Sequence, residues 1–545
     1  MKNERVVSLP DKWPYNKNMI IFGATGSGKS YSVVRPYIFQ SVRRRESFIV
    51  TDPKGELYED MATWLINSGY TVKVLNLKNL NKTDSWDCLG DIPLDNVDTM
   101  ITMTQSMVRI ILRATKGYDG YKTYWDQQEA NLLTGLILYE LTERRKRGTP
   151  EWEAAVNAEK KRMAEHKLQT GSVSQIGTLG HLYEMLTNNE LTQLINILRE
   201  AISGVTDHPA TASFNTFIHS EETGEGQKKD NKPVKAGMVK SNIVGGLSTD
   251  LQFLQGPELR RLLSDDSHNI DVVKPAKTQC AYFIIMDDQD HSKDFVGTLF
   301  YSILFQRLCN YADSLPEKHG LPITMVLDEF NNVGQIPDFA SRLSTIRSRR
   351  ISAVIILQSL SQIKNSDIYR DTWEEIMSDC SIKILLSTDD NETAKYWSDL
   401  LGQATIVDVS TRDRKNTYDP TPTIRDYSRT IKSMGRPLRQ PSELMQMPVE
   451  RIIVYTNNGP MELNRYGANH YPEYHQLHHI QIEQDFEMVR DMNPTFDEKT
   501  QSVKTKHTTN VINRIASDRS KKKIDQSQLQ SANDLKAWVN SLKQN

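Results

Sequence analysis

No stretch of the 545 residues approaches the ~20 consecutive apolar residues of a membrane-spanning helix, and residues 1–18 lack the apolar segment of a secretory leader. Cysteine is scarce. The four present (Cys88, Cys280, Cys309, Cys380) are far apart, form no C-x-x-C pair and lie mostly in or beside apolar runs. That argues against a disulfide framework or thiolate metal site and reads as buried, reduced thiols of a cytoplasmic protein. A charge excess is missing too. Lys and Arg total 67 against 69 Asp and Glu, a net charge of -2, so any nucleic-acid contact needs a local patch. No Ser-His-Asp or Cys-His arrangement, nuclease-like acid cluster or internal repeat is present. His470, His475, His478 and His479 gather without carboxylate or cysteine spacing and read as exposed histidines. With 38% hydrophobic and 25% charged residues, the chain is globular, with length for about three or four domain-sized units.

Residues 19–30, MIIFGATGSGKS, are the stretch around which the rest can be arranged. Met19, Ile20, Ile21 and Phe22 form an apolar run of buried-strand type. Gly23, Ala24, Thr25, Gly26, Ser27, Gly28, Lys29 and Ser30 then fit G-x-x-x-x-G-K-[ST], and residues 31–34 can continue as a helix. The glycines let successive N–H groups curl around phosphate oxygens, and the helix N-terminus adds partial positive charge. Lys29 would reach the β- and γ-phosphates, and the Ser30 hydroxyl would ligate Mg²⁺. This is a nucleotide-binding P-loop.

Further strands are predicted at 47–52 and 70–77, with a helix over 56–68 between them. Such alternation predicts a parallel sheet covered on both faces. The pattern then changes. Residues 91–271 show little strand signal and much helical periodicity, as in 125–141, where Leu132, Leu133, Leu136, Ile137 and Leu141 recur at helical spacing. Helices are also expected at 190–201 and 238–254, a solvated helix or hairpin at 143–167, and a polar loop at 220–234. Strand signals resume at 280–286, 323–327, 353–357, 382–386 and 451–455. From about residue 480 the sequence reads as a polar tail, basic over 504–523, with a short amphipathic helix at 532–542.

A P-loop alone indicates only that a nucleoside triphosphate binds. The other half of such a site is an apolar strand ending in acid, and residues 323–329 supply it. Asp328 would hold the Mg²⁺ shell, and Glu329 would polarise the attacking water as general base, which favours hydrolysis over mere binding. Gln358 ends another buried strand, where it would sense the γ-phosphate. Arg347, chosen among Arg347, Arg349 and Arg350, would reach a neighbouring subunit's phosphates in a ring.

Together these motifs resemble the coupling ATPases of type IV secretion and conjugation, the TraG/TraD class. The resemblance rests on GATGSGKS (23–30), TDPKGELY (51–58), WDQQEANLL (125–133), VLDEFNNVGQIPDF (326–339), ILQSLSQI (356–363) and RPLRQPSELMQMP (436–448), and covers roughly residues 18–471. It implies an α/β fold: a RecA-like P-loop NTPase core with a largely parallel sheet, interrupted by an all-α insertion domain. The expected division is 1–90 and 272–480 for the nucleotide-binding domain, 91–271 for the insertion and 481–545 for the tail. It also implies ATP and Mg²⁺ as cofactors, with Lys29 and Ser30 at the Walker A positions, Asp328 and Glu329 at Walker B, and Arg347 as arginine finger. Members form hexameric rings that recruit a relaxase–DNA complex and pass single-stranded DNA to a secretion channel. The expected partners are that complex, the channel ATPases and further copies of the chain. Because members usually begin with transmembrane helices and only residues 1–18 precede the core here, a separate membrane-anchor protein is also expected, the alternative being an anchor missing from this chain. The chain is then expected to be cytoplasmic, recruited to the inner face of the membrane, hexameric when active and monomeric when isolated. The alternative is an ATP-regulated docking module for substrates, or a protein-effector export ATPase, without DNA motor activity.

Overall fold

The structure, a computed structural model, describes residues 13–504 apart from 117–122, 147–148, 151–152, 155–156, 158–175, 190, 204–206, 219–235, 265–267, 288–289, 334–335, 337, 367–368, 414–426, 494 and 498–501. The polar loop expected at 220–234, most of the basic stretch at 504–523 and the helix expected at 532–542 lie outside the described residues. The rest falls into two compact units. One is built from residues 13–37, 326–331 and 352–471, the other from 38–325, 332–351 and 472–504.

The strands are β1 (Met19–Phe22), β2 (Ser47–Thr51), β3 (Thr71–Asn76), β4 (Cys280–Ile285), β5 (Ile323–Leu327), β6 (Ile351–Leu357), β7 (Ile382–Leu385), β8 (Gln403–Asp413), β9 (Tyr427–Pro437), β10 (Arg451–Thr456) and β11 (Gly459–Asn464). In the first unit they run β11-β10-β7-β1-β6-β5. β1 lies parallel between β6 and β7, with Ile20 opposite Ile355 on one side and Lys383 on the other. β10 and β11 close that edge antiparallel. Ile20, Ile21 and Phe22 are wholly buried, the burial expected of a strand covered on both faces. Phe22 packs edge-on against Trp397, ring centroids 6.4 Å apart. The buried amide of Asn18 fixes the start of β1. Its Oδ1 accepts from the Ala353 N–H (3.0 Å), and its Nδ2 donates to the Asp379 carbonyl (3.1 Å).

Two elements of this unit have little sequence signal. β8 and β9 pair antiparallel from Gln403↔Pro437 to Asp413↔Tyr427 as a separate two-stranded ribbon. Val407 and Ile431 are exposed on it, so no continuous apolar run marks it. β11 also alternates half-buried and exposed positions.

The second unit contains the order β5-β2-β4-β3, with β4 parallel to both β2 and β3. Between β3 and β4 the chain makes a helical excursion with no strand among the described residues. It includes α3 (Val97–Lys116) and α4 (Tyr124–Arg145), α1 (Arg35–Arg43) and α2 (Glu56–Asn67) having come earlier. Helices Leu179–Asn188, Leu191–Ser203, Thr211–Ile218, Ala236–Asp250 and Pro257–Leu262 follow. α4 begins at a capping box, in which the Thr123 hydroxyl accepts from the Asp126 N–H and the Asp126 carboxylate accepts from the Thr123 N–H (2.9 Å). Leu132, Leu133, Leu136, Ile137 and Leu141 are buried along it. At Gly135 a Cβ would overlap the ring of Phe214, so α4 and Thr211–Ile218 approach at a distance only glycine allows. Lys116 ties three elements together, pairing with Asp126 (2.7 Å) and Glu129 of α4 and with Asp250 (3.2 Å).

The first residues of the polar tail expected from 481 are helical. Ile482–Met492 is a helix whose Ile482, Phe486, Val489 and Met492 are buried, and it packs on α2. Its 3.6-residue apolar stripe is diluted by Glu, Gln and Asp, which hides it in average polarity. Cys88, Cys280 and Cys380 are buried and Cys309 partly so. All four are free thiols, raised above their ordinary pKa by burial. Among the described residues no helix is long and apolar enough to cross a membrane.

Replacing Gly135 by valine is expected to destabilise the fold by about 1–3 kcal/mol. Adding Phe214→Ala recovers part of that loss, because the ring is what the new side chain meets. Strictly additive losses in chemical denaturation contradict the packing described.

Candidate nucleotide site

The loop after β1 is held through its own backbone N–H groups. Gly23 N–H donates to the Leu357 carbonyl (3.0 Å), and Ala24 N–H donates to the Ser387 hydroxyl beyond β7 (3.3 Å). Gly26 and Gly28 adopt φ of 74° and 72°, the left-handed region that curls the loop and disfavours side chains. Lys29 Nζ turns back on its own loop, donating to the carbonyls of Gly23 (2.9 Å) and Ala24 (3.5 Å). The buried Ser27 hydroxyl has no hydrogen-bond partner among the described residues. The following helix opens as a π-helical turn, Ser30–Val34, before α1. Turns of that type concentrate at functional sites.

The acid half arrives from the end of β5. Ser30 Oγ donates to Asp328 Oδ2 at 3.5 Å, and Asp328 Oδ1 accepts from the Glu329 N–H (3.1 Å). Asp328 is only 6% exposed. Burial raises its pKa from 3.8 to about 6, against the lowering influence of Lys29, and Glu329 raises it further. Glu329 follows at φ 50°, a left-handed backbone uncommon outside glycine, and its side chain is half-buried. Gln358 stands at the end of β6, where Thr25 Oγ1 donates to its Oε1 (3.2 Å). Ser30, Asp328 and Lys29 thus share one electrostatic environment, and Gln358 touches the P-loop. A buried carboxylate beside a hydroxyl at the head of a P-loop is a donor set that fits Mg²⁺, and an orphaned Ser27 hydroxyl and curled N–H groups fit phosphate oxygens.

Arg347 belongs to the second unit, exposed on the turn Ile346–Arg349. Its neighbour Arg349 is committed to Asp313 by two hydrogen bonds (2.9 and 2.7 Å). In TDPKGELY the Asp52 carboxylate accepts from the Tyr58 N–H (2.9 Å), anchoring the start of α2. His470 and His475 are exposed, His478 is half-buried, and His479 pairs with Asp60 (2.9 Å).

One P-loop contact has no signature in the sequence. Arg465, just beyond β11, donates from Nε to the Ser32 hydroxyl (2.7 Å), from Nη2 to the Ser27 carbonyl and from Nη1 to the Val449 carbonyl (3.3 Å). A Cβ on Gly28 would sit 3.1 Å from that guanidinium. The contact spans more than four hundred residues of chain, and only the folded arrangement reveals it.

The Asp328 shift has a testable sign. The folded protein holds this proton more tightly than the unfolded chain, so stability falls as pH rises from about 4 to 6, and the penalty is complete above that. Asp328→Asn is neutral throughout. Without nucleotide or Mg²⁺, its thermal unfolding at about pH 7.5 is expected several degrees above that of the unsubstituted protein, converging near pH 4. A difference independent of pH contradicts the assignment.

Residues 7–467 match the protein family described as Type IV secretory system Conjugative DNA transfer. The conjugal transfer protein TraG of Escherichia coli is 22% identical over 444 residues, covering 79% of this chain and 62% of TraG. Protein VirD4 of Rhizobium radiobacter is 21% identical over 453 residues, covering 82% of this chain and 56% of VirD4. The chain therefore spans less than two thirds of the length of these relatives. Among solved structures, the bacterial conjugative coupling protein TrwBdeltaN70, in complex with sulphate, superposes with a TM-score of 0.53 at 14% identity, covering 84% of this chain and 88% of that one. Plasmid coupling protein TrwB in complex with the non-hydrolysable GTP analogue GDPNP gives 0.50 at 15% identity, covering 84% and 88%. The likeness in structure concerns the fold, a RecA-like α/β core with a mostly parallel sheet. With a family match running almost from the first residue through β11, the chain belongs to the conjugative DNA-transfer family of type IV secretion systems.

Proposed function

We propose that this protein is the ATP-hydrolysing coupling protein of a conjugative type IV secretion system, recruiting a relaxase–DNA complex and driving single-stranded DNA to the channel. The observation that carries the reading is the meeting of Ser30 and Asp328, with Glu329 next in the chain. Family membership supports the conjugative role, and the GDPNP and ADPNP complexes of TrwB support a nucleotide at this P-loop.

In this reading Lys29 leaves the Gly23 and Ala24 carbonyls to meet the β- and γ-phosphates, and the loop N–H groups orient the triphosphate. Ser30 and Asp328 would hold Mg²⁺, which supplies charge neutralisation on the phosphate oxygens. Glu329 takes the proton of the attacking water, and Gln358, tethered to Thr25, reports the γ-phosphate to β6. Arg347, exposed on its turn, serves the site of a neighbouring copy in a hexameric ring. The helical excursion at 91–271 selects cargo, and a membrane-anchored partner brings the ring to the channel.

Glu329→Gln is expected to bind ATP with affinity close to that of the unsubstituted protein while losing about a hundredfold or more in turnover. Lys29→Ala loses both binding and turnover. Undiminished hydrolysis by Glu329→Gln removes the assigned base, and normal DNA transfer in cells carrying Lys29→Ala leaves only a docking role.

A further inference from the structure

The P-loop accounts for phosphates and metal. It leaves open what receives the nucleoside. With Lys29 at the β- and γ-phosphates and the loop N–H groups around the α- and β-phosphates, the nucleoside of a bound nucleotide would lie outside the loop, by the first residues of the helix that begins at Ser30. There Tyr31 is 37% exposed, and its ring lies on Gly467, where a Cβ would overlap it. The short turn Ala468–His470 packs on Ser30–Val34 in the same place.

The segment carrying Gly467 is aromatic on both sides. Tyr466 is 45% exposed, and its ring faces that of His470 with centroids 4.4 Å apart at 40°. Tyr471 stands edge-on to Tyr466 at 5.5 Å. Arg465, immediately before them, is fastened to the P-loop through Ser27 and Ser32. Tyr466 keeps 45% of its surface exposed although His470 lies against it, and rings of this kind suit a nucleobase, whose π-face stacks without needing edge-specific hydrogen bonds. All these residues lie in the first unit.

We propose that residues 465–471, with Tyr31, form the nucleoside wall of the nucleotide site: Arg465 positions the segment on the P-loop, and the rings of Tyr31 and Tyr466 receive the base. The inference rests on the P-loop reading above and names the part of the ligand that reading leaves unassigned. Gly467 is then required because any side chain there displaces the Tyr31 ring from the wall.

The test compares calorimetric binding of Mg·ATP and Mg·tripolyphosphate to the full chain, which separates the base and sugar from the phosphates. Tyr466→Ala and Gly467→Val are each expected to weaken ATP about tenfold while leaving tripolyphosphate unchanged. Retained tripolyphosphate binding also shows that the variants fold. Equal loss for both ligands, or loss for neither, overturns the proposal. An unsubstituted protein that binds neither ligand overturns the P-loop reading itself, and the proposal with it. As a second measurement, 8-azido-ATP photolabelling of the unsubstituted protein is expected to mark the 465–471 peptide, and labelling confined to other peptides overturns the assignment.

Discussion

A carboxylate buried at the end of an apolar strand is the constraint on which this structure turns. Asp328 has lost nearly all contact with water, and its neighbours are the Ser30 hydroxyl, the Glu329 N–H and the field of Lys29. An ionised carboxylate in such surroundings is costly, and the raised pKa is the expression of that cost. A fold selected for stability alone would place an apolar or amide side chain there. The divalent cation proposed between Ser30 and Asp328 would offset that cost, and the left-handed backbone of Glu329 is a second local cost at the same strand end.

The first unit is arranged to deliver these groups. β1, β6 and β5 end side by side, and their ends carry the P-loop, Gln358 and the Asp328–Glu329 pair. Ligands of open α/β sheets bind beyond the carboxyl ends of the strands for this reason. Asn18 at the other end of β1 bonds to Ala353 of β6 and to Asp379 ahead of β7, which fixes β1 between its two neighbours. In the second unit a different economy holds. One lysine, Lys116, serves Asp126, Glu129 and Asp250, and Gly135 lets α4 approach Thr211–Ile218 where a Cβ would overlap the ring of Phe214.

What could be read from the residues is what local chemistry dictates. The P-loop, the acid-ended strand, the buried apolar runs of β1 to β7 and the periodic helix α4 each carry their signal within about a dozen residues. The Ser30–Asp328 and Thr25–Gln358 contacts follow from those elements once they are stacked in one sheet. The ribbon of β8 and β9 has no such signal because its apolar residues alternate with Thr, Ser and Asp on exposed faces. Helix Ile482–Met492 hides its buried stripe in a polar average. Arg465 is opaque for a third reason: an arginine after a strand is ordinary, and only the fold brings it to Ser27 and Ser32.

The proposed role couples nucleotide turnover at this site to DNA. The most direct measurement is the ATPase rate of the purified protein across a titration of single-stranded DNA, repeated from low to moderate salt. The account predicts strong stimulation that fades as salt rises, because strand engagement through phosphate contacts releases counterions. A measurable ATPase rate that single-stranded DNA leaves unchanged at every salt concentration contradicts it.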